Sequence, residues 1–196
     1  MVALSVPIGE CAGVVTRLEM TARPRPAPLP SAPFRLVRWA SPDPDRYRTL
    51  FRRVGEPWLW YSRLVIDEAA LSAIITDPAV EVFAVVDRAG IEVGMVELDF
   101  RTERACEIAY FALVPELTGQ KLGRWLMAQT LVRAWQLGID QVWLHTCTLD
   151  HPSALNFYRA CGFVAVARRI ETFPDPRLLG LIDRSAAPHV PLLDAS

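Results

Sequence analysis

The chain has 196 residues, of which 52% are apolar and 22% are charged, so it can bury the core of a single ordinary domain. Its 21 basic and 22 acidic residues nearly cancel and no long run of like charges occurs, which disfavours nucleic acid as a partner. No apolar run approaches the roughly 20 residues of a membrane helix, and Pro7, Gly9 and Glu10 interrupt any signal peptide, so we expect a cytoplasmic protein without a membrane contact.

A proline-rich stretch divides the chain near its beginning. Residues 21–33 contain five prolines and almost no side chain that packs, which predicts an extended, polyproline-like connector. Residues 12–20 before it contain a β-branched run and form a candidate strand. We therefore separate residues 1–33, with the strand candidate and the connector, from a main domain over residues 34–196.

A strand and a helix are predicted directly after the connector. Residues 34–39 alternate apolar and basic side chains, as a half-buried strand does. Residues 43–54 predict a helix, since Ser41 or Asp43 can cap its start and Pro44 suits its first turn.

The hydrophobic period then changes from that of a helix to that of a strand. Residues 67–76 predict a short second helix. Residues 80–86 and 91–101 predict two antiparallel strands joined by a turn at residues 87–90. The second strand has one apolar face and one acidic face, formed by Val96, Leu98 and Phe100 and by Glu97 and Asp99.

The remaining sequence alternates strands and helices. The predicted elements are a strand at 105–114, a mostly apolar helix at 118–137 ended by Gly138, a strand at 141–148, a short helix at 152–160 and a strand at 163–170. The first three form a βαβ unit beside the antiparallel hairpin. This order predicts an α/β fold with a mixed, mostly antiparallel sheet, a central βαβ unit and flanking helices.

The first functional signal lies between strand 105–114 and helix 118–137. This connection reads LVPELTGQKLGRWL, and Gly119 and Gly123 keep side-chain bulk away from the backbone amides at the start of the helix. Such free amides form an anion site that suits phosphate groups.

The connection resembles the pyrophosphate loop of the GNAT superfamily of acetyl-CoA-dependent N-acyltransferases, in which a strand ending in V-x-P precedes R/Q-x-x-G-x-G/A. Leu113-Val114-Pro115 aligns this loop with Thr118, Gly119, Gln120, Lys121, Leu122 and Gly123. Only Gly123 then has the expected identity, and Lys121 replaces the first glycine. A register that starts at Gln120 puts Trp125 where a small residue belongs, so we prefer the first register.

A second segment is similar to the same superfamily. Residues 151–163, HPSALNFYRACGF, match N-x-x-A-x-x-x-Y-x-x-x-G-F at Ala154, Tyr158 and Gly162-Phe163, with His151 in place of the asparagine. The two segments flank the βαβ unit that the superfamily requires. The resemblance covers about residues 34–170, so the main domain resembles a GNAT acyltransferase domain.

The resemblance implies an N-acetyltransferase that moves an acetyl group from acetyl-CoA to a primary amine by direct attack. Acetyl-CoA is expected where strands 105–114 and 141–148 splay apart, with its pantetheine along residues 112–114 and Lys121 and Arg124 near its phosphates. The implied cofactor contacts are Ala112, Leu113, Val114, Thr118, Gly119, Gln120, Lys121, Leu122, Gly123, Arg124 and His151. The acceptor is expected to be an amine-bearing small molecule or peptide, and the protein a homodimer.

The reaction needs a base and an acid. An alkylamine has a pKa of about 10.4, so some group must accept its proton at neutral pH. Glu107 matches a glutamate that several superfamily members use through water, and Glu97 is the second candidate base. Tyr158 matches the superfamily's tyrosine and is the candidate acid for the leaving thiolate. The alternatives are that the glutamates only solvate a sheet face and that Tyr158 only packs its ring.

Two further expectations concern the acceptor and the sheet. Residues 55–64 carry Trp58, Trp60 and Tyr61 and predict either the acceptor wall or a lid on the core. The superfamily usually adds a seventh strand after the one at residues 163–170, but prolines follow here. We therefore predict that the N-terminal strand occupies an edge of the sheet.

Three alternatives remain. Cys147 and His145 share one face of a strand and suggest a cysteine nucleophile, although such residues stand about 7 Å apart. With Asp150 and His151 they suggest a zinc site, although the chain has no second ligand pair at zinc spacing. The departures in the loop favour a non-catalytic acyl-CoA-binding or interaction module with a GNAT-like fold. We expect the four cysteines to be reduced and mostly buried.

Overall fold

The computed structural model describes residues 3–25 and 28–194 of the chain. Residues 26 and 27 of the predicted connector, and two residues at each end of the chain, lie outside the described residues. The strands are β1 (Glu10–Met20), β2 (Arg35–Arg38), β3 (Val80–Val86), β4 (Glu92–Asp99), β5 (Ala105–Leu113), β6 (Gln141–Cys147) and β7 (Val164–Pro174). The α-helices are α1 (Pro44–Gly55), α2 (Ser62–Val65), α3 (Glu68–Ile75), α4 (Leu122–Ala134) and α5 (Ala154–Ala160), with 3₁₀ turns at Glu56–Trp58 and Pro115–Leu117.

The strands form one sheet in the order β2-β3-β4-β5-β6-β1-β7. β5 and β6 are parallel and are joined by α4, whereas every other neighbouring pair is antiparallel. This is the mixed, mostly antiparallel sheet with a central βαβ unit that the sequence predicts, and the predicted fold class is confirmed. None of the helices in the described chain is long and apolar enough to cross a membrane.

The first two predicted helix starts are also found. The side chain of Asp43 accepts a hydrogen bond from the Arg46 amide at 2.8 Å, and Pro44 begins α1. Asp67 caps α3 in the same way, accepting from the Ala70 amide at 2.7 Å. Carboxylate caps of this kind satisfy amides that lack an intrahelical partner.

Helix α4 is shorter than the predicted span of residues 118–137. It begins at Leu122 because Lys121 has a left-handed backbone, with φ of +62°. It ends at Ala134 because Trp135 leaves the helical conformation, so Gly138 lies in the following turn rather than at the helix end. The residues between Pro115 and the start of the helix therefore form a loop.

Strand β4 is buried on both faces, so the alternative that Glu97 only solvates a sheet face is wrong. The Tyr47 hydroxyl of α1 donates to Glu97, which places α1 on the Glu97 face. Arg133 of α4 lies 5.5 Å from the Phe83 ring centroid, and Phe83 pairs with Val96, which places α4 on the opposite face. Helices thus cover both faces of the sheet at this strand, and Glu97 is fully buried.

Strand β1 lies inside the sheet, so its predicted place at an edge is wrong. It pairs with β6 from Val15↔Cys147 to Met20↔Val142 and with β7 from Glu10↔Pro174 to Glu19↔Val164. β7 runs to Pro174 despite the nearby prolines and forms the edge itself. The described connector residues form no helix or strand. The division at residue 34 stays a prediction.

The segment after β7 is held against β1 by buried polar groups. The Cys11 thiol of β1 donates to Asp175 at 3.1 Å, and Arg177 pairs with the same carboxylate at 2.7 Å. Arg177 also donates to the carbonyls of Ala186 and Val190 at 3.2 and 2.9 Å. The arginine therefore fixes the path of the chain after the last strand.

Candidate active site

A cavity of about 550 Å³ opens between β5 and β6 and is called the β5–β6 cavity below. The two strands pair at three positions, Ala105↔Gln141, Cys106↔Val142 and Glu107↔Trp143. Beyond these positions β5 and β6 no longer pair with each other, and residues 108–113 line the cavity on one side. A bulge leaves Ala109 without a partner on β4, and this residue also lines the cavity. The parting of two parallel strands therefore creates the space.

The loop at one end of the β5–β6 cavity contains two left-handed residues, Gly119 with φ of +81° and Lys121 with φ of +62°. A non-glycine residue in this region costs roughly 1–2 kcal/mol. The register that starts at Thr118 places Lys121 where the GNAT motif has glycine, so this backbone conformation supports that register.

The first turn of α4 presents its backbone to the cavity. Lys121, in the capping position, makes no side-chain cap within the described chain, and Leu122, Gly123 and Arg124 line the cavity. A Cβ atom built on Gly123 would lie 3.3 Å from the Phe157 ring of α5. Glycine therefore avoids a tight contact where α5 packs against the first turn of α4.

Positive charge is concentrated at this end of the cavity. Lys121 and Arg124 line it, and both residues are exposed. The helix N-terminus adds a partial positive charge. No acidic residue occurs between Thr118 and Arg124. Free amides and two cations together suit a diphosphate.

Tyr158 of α5 lines the cavity among aromatic side chains. Its ring contacts the rings of Phe111, Phe157 and Phe163, with centroids 6.1, 5.4 and 6.3 Å away. Burial, followed by the negative charge of Asp150, raises the pKa of Tyr158 far above its usual value. The hydroxyl is therefore protonated at neutral pH and can donate a hydrogen bond into the cavity.

Glu97 lies outside the cavity in a closed cluster. Its carboxylate accepts hydrogen bonds from the Tyr47 hydroxyl and from Arg63 Nη2, the latter at 2.6 Å. Burial and the Glu97 charge raise the pKa of Tyr47 well above its usual value. Burial lowers the pKa of Arg63, but the charge of Glu97 outweighs burial and raises it overall. Glu97 is therefore committed to these two partners.

Glu107 lies where β5 and β6 begin to part. Its side chain is 22% exposed, and its Oε1 atom lies 3.4 Å from Nδ1 of His145. Glu107 itself is absent from the cavity wall, whereas His145 forms part of it. From the sequence, His145 was a candidate only in the nucleophile and zinc alternatives. The register of the parallel pair β5 and β6, which sets Glu107 opposite Trp143, is the signal that could have placed His145 near Glu107.

His151 lines the cavity just before α5. Its Nδ1 atom accepts a hydrogen bond from the Ser153 amide at 3.1 Å. Because Nδ1 is an acceptor, the ring proton of neutral His151 lies on Nε2. The ring also contacts Trp58 edge-on, with centroids 5.3 Å apart.

Two residues that the sequence assigned to the cofactor lie outside the cavity wall. The Val114 amide donates to Val93 at 2.9 Å and its carbonyl accepts from Leu117 at 3.0 Å. The Gln120 side chain donates to the Glu116 carbonyl at 3.0 Å. The other assigned residues line the cavity, namely Ala112, Leu113, Thr118, Gly119, Lys121, Leu122, Gly123, Arg124 and His151.

An aromatic wall, formed by Trp58, Trp60 and Tyr61, also borders the cavity. The Trp60 indole donates to Asp150 at 3.1 Å, and the Tyr61 ring stacks on Phe173 with centroids 4.9 Å apart. This wall joins the segment after α1 to β7.

Asp150 and β7 contribute to the wall in ways that the sequence analysis missed. Besides Trp60, the Asp150 carboxylate accepts from the Thr146 hydroxyl at 2.7 Å and the Cys147 amide at 2.8 Å. Glu171 and Phe173 of β7 line the cavity. The distance of β7 from the cavity is set by β1, which lies between β6 and β7. This arrangement joins distant segments, so no local sequence pattern predicts it.

The four cysteines are free, and two of them, Cys11 and Cys106, are buried. Burial, with the charge of Asp150, raises the pKa of Cys147 to about 11. Its thiol is therefore protonated at neutral pH, which argues against a cysteine nucleophile. No cluster of three or more potential ligand side chains in residues 3–25 and 28–194 is arranged to hold a metal ion.

Comparison with known proteins identifies a family. The sequence model described as acetyltransferase (GNAT) family matches residues 34–163. No curated protein matches the chain at a significant level.

Solved structures share the fold at low sequence identity. A functionally unknown conserved protein from Staphylococcus epidermidis is 16% identical, with a TM-score of 0.60 over 85% of this chain and 63% of the other. A GCN5-related N-acetyltransferase from Sphaerobacter thermophilus is 16% identical, with a TM-score of 0.62 over 83% and 51%. The dodecameric spermidine N-acetyltransferase of Vibrio cholerae is 21% identical, with a TM-score of 0.53 over 78% and 98%. The chain thus spans 63% and 51% of the lengths of the first two proteins.

Proposed function

The chain belongs to the acetyltransferase (GNAT) family, and we propose that it transfers the acetyl group of acetyl-CoA to the primary amine of a small molecule or peptide. The observation that carries this proposal is the β5–β6 cavity, which runs from the parting of the strands to the first turn of α4. A polar, cationic loop and an aromatic wall border the same cavity, which suits a cofactor and an acceptor that must meet.

Acetyl-CoA is the cofactor that we assign to the loop. Thr118, Gly119 and the first-turn amides of α4 are assigned to its diphosphate, with Lys121 and Arg124 as charged partners. Ala112 and Leu113 line the cavity on the β5 side and are assigned to the pantetheine. The bound group supplies an activated thioester carbonyl and a thiolate leaving group.

Two side chains are assigned to proton transfer. Glu107 is the favoured base of the two glutamates, because Glu97 already binds Tyr47 and Arg63. Glu107 does not line the cavity, so it takes part either as a base through water or through a group that lies between it and the cavity. Tyr158 is the acid that protonates the departing thiolate, because its phenol is protonated and lines the cavity.

The acceptor is assigned to the aromatic wall. The Vibrio cholerae structure is that of a spermidine N-acetyltransferase, which favours a flexible amine as the first compound to test. Trp58 and Tyr61 offer ring surfaces for the carbon chain or the charged end of such an amine. A homodimer and a cytoplasmic location also stay predictions.

Thiol release from acetyl-CoA in the presence of single amines tests the proposal. The panel contains a polyamine, an amino sugar, a simple alkylamine and a lysine-containing peptide, and mass spectrometry identifies the product. We expect release that depends on the amine, with the acetyl group recovered on it. Stabilisation by acetyl-CoA without release from any amine would instead support the non-catalytic binding module.

The loop assignment has a matched pair of variants. Arg124→Glu reverses a charge in the first turn of α4, whereas Arg168→Glu makes the same change on an exposed part of β7. Acetyl-CoA should raise the melting temperature of the Arg168 variant as it does that of the parent, and raise that of the Arg124 variant less. Equal shifts for both variants would remove the loop from the cofactor site.

A further inference from the structure

His145 and Glu107 form a pair at the apex of the β5–β6 cavity. His145 lines the cavity, whereas the Glu107 carboxylate lies behind it and does not reach the cavity. Glu107 Oε1 lies 3.4 Å from His145 Nδ1, and only His145 lines the cavity. The His145 side chain is 45% exposed, whereas that of Glu107 is 22% exposed. Distances of this kind are often longer in a free enzyme than in its complex. The histidine is thus the member of the pair that an acceptor amine can touch.

The two side chains next to His145 on β1 and β6 do not compete with it for a proton. Arg17 of β1 lies opposite His145 in the sheet, but its guanidinium lies 3.9 Å from the Trp143 ring centroid and bonds Glu19 at 2.7 Å. Cys147 follows two residues later on the same strand, and burial raises the pKa of its thiol to about 11. Neither neighbour therefore provides a competing base.

Asp150 is the other carboxylate of β6 and its following turn that reaches the cavity. It accepts hydrogen bonds from Trp60, Thr146 and the Cys147 amide. These three donors hold the carboxylate to β6 and to the aromatic wall. Asp150 is therefore a structural link between β6 and the aromatic wall.

We propose that His145 is the catalytic base of this enzyme and that Glu107 is the residue that positions its ring, an inference that rests on the proposed acetyl transfer. Glu107 accepts a hydrogen bond from Nδ1–H of the neutral ring, which leaves the lone pair of Nε2 available to the amine. As the N–C bond forms, the amine proton moves to Nε2. The C–S bond breaks and Tyr158 protonates the sulfur. The Tyr158 phenolate then takes a proton from solvent, and the imidazolium returns its proton to solvent.

The ring tautomer tests the positioning step without any turnover. Neutral histidine in water favours the proton on Nε2, whereas the pair with Glu107 requires it on Nδ1. The chain has three histidines, so the spectrum of His145→Gln assigns the nitrogen-15 signals of His145. We expect an Nδ1-protonated ring in the parent protein and loss of that preference in Glu107→Gln. An Nε2-protonated ring in the parent would overturn the proposal.

Turnover tests the base itself. We expect His145→Ala to lower kcat by about 100-fold, in the range of general acid–base catalysis, with little change in the stabilisation by acetyl-CoA. Added imidazole should restore part of the activity of His145→Ala and none of that of Tyr158→Phe, which lacks a different group. Glu107→Gln should lower kcat by about tenfold without response to imidazole.

The outcomes separate the two proposals. Absence of amine-dependent thiol release from the parent protein would contradict the proposed function, while the tautomer still tests the pair. If the parent is active and both His145→Ala and His145→Gln keep full kcat as folded proteins, His145 is not the base. If His145→Ala does not fold, His145→Gln and the tautomer of the parent decide the matter.

Discussion

Glu97 and Glu107 lie on neighbouring strands, β4 and β5, yet their surroundings are opposite. Glu97 is fully buried under α1, where Tyr47 and Arg63 hold its carboxylate. Glu107 is 22% exposed at the apex of the β5–β6 cavity and faces a histidine that is half exposed. The first region is closed and saturated with hydrogen bonds, whereas the second is open on the cavity side.

The two carboxylates therefore differ in how much each contributes to stability and in whether each is free to interact with a neighbouring group. A buried charge with two strong partners stabilises the fold only as part of the cluster, and removing one member leaves the others unpaired. A charge at the edge of a cavity contributes little to stability and can follow the protonation of its neighbour. The contrast favours a structural role for the Glu97 cluster and agrees with the functional role proposed above for the Glu107–His145 pair.

Removal of each carboxylate should separate the two regions most strongly. Glu97→Ala leaves Arg63, only 15% exposed, without its partner and is expected to lower the free energy of unfolding by about 3–5 kcal/mol. Glu107→Ala should lower it by less than about 1 kcal/mol. Urea unfolding measures both. Equal losses would mean that the two environments do not differ in the way described.

Removal of one tyrosine hydroxyl from each region gives a second test of the difference between them. Tyr158→Phe removes one hydroxyl and keeps the ring among Phe111, Phe157 and Phe163. We expect a loss of about 100-fold in kcat and in kcat/KM, with unchanged stabilisation by acetyl-CoA. Tyr47→Phe is the matched control in the closed region, and we expect it to lower the free energy of unfolding. Full turnover of Tyr158→Phe with chemistry rate-limiting would make Tyr158 a packing residue.

The parts of this site that are local in sequence could be predicted, and the parts that join distant segments could not. The loop before α4 and the tyrosine of α5 lie within short motifs, and Asp43 and Pro44 mark the start of α1. The alternative of a solvated Glu97 fails because α1 covers this face of β4, and the alternation of Val96 and Leu98 with Glu97 does not encode that contact.

Long-range pairing explains the other difference. The prediction that the N-terminal strand joins the sheet rested on the expected seventh strand, for which the residues after 170 gave no candidate. That argument shows that a strand is needed but not its position in the sheet. β1 fills a position between β6 and β7, and this places Glu171 and Phe173 at the cavity. The contact of Glu107 with His145 likewise depends on the register of β5 and β6.

The rate at which Cys147 is alkylated should depend on pH in a way that reflects the burial of its thiol beside the cavity. Burial and Asp150 raise the pKa of its thiol from 9.0 to about 11. At pH 8 its thiolate fraction should therefore be lower than that of an unperturbed thiol by on the order of 100-fold, and alkylation should accelerate as the pH rises towards 11. Peptide mass spectrometry follows the labelling. Rapid labelling of Cys147 at pH 7 would contradict the described environment.

The smallest expected effect concerns Arg124. A positive charge at a helix N-terminus opposes the helix dipole, so Arg124→Glu should raise the free energy of unfolding of the free protein by about 0.5 kcal/mol. The same change should weaken acetyl-CoA binding by about tenfold, because a charged contact to phosphate becomes a repulsion. Unfolding and calorimetric titration should thus move in opposite directions. Movement in the same direction would mean that Arg124 does not face the phosphates.

Hydrogen exchange with and without coenzyme A probes the open and the closed region in one experiment. The first amides of α4 lack intrahelical partners and should exchange fast until phosphates cover them. The account predicts protection by coenzyme A in peptides from residues 108–124 and 144–158, and no change over residues 92–99 around Glu97. Absence of protection over residues 118–124 at saturating coenzyme A would contradict it.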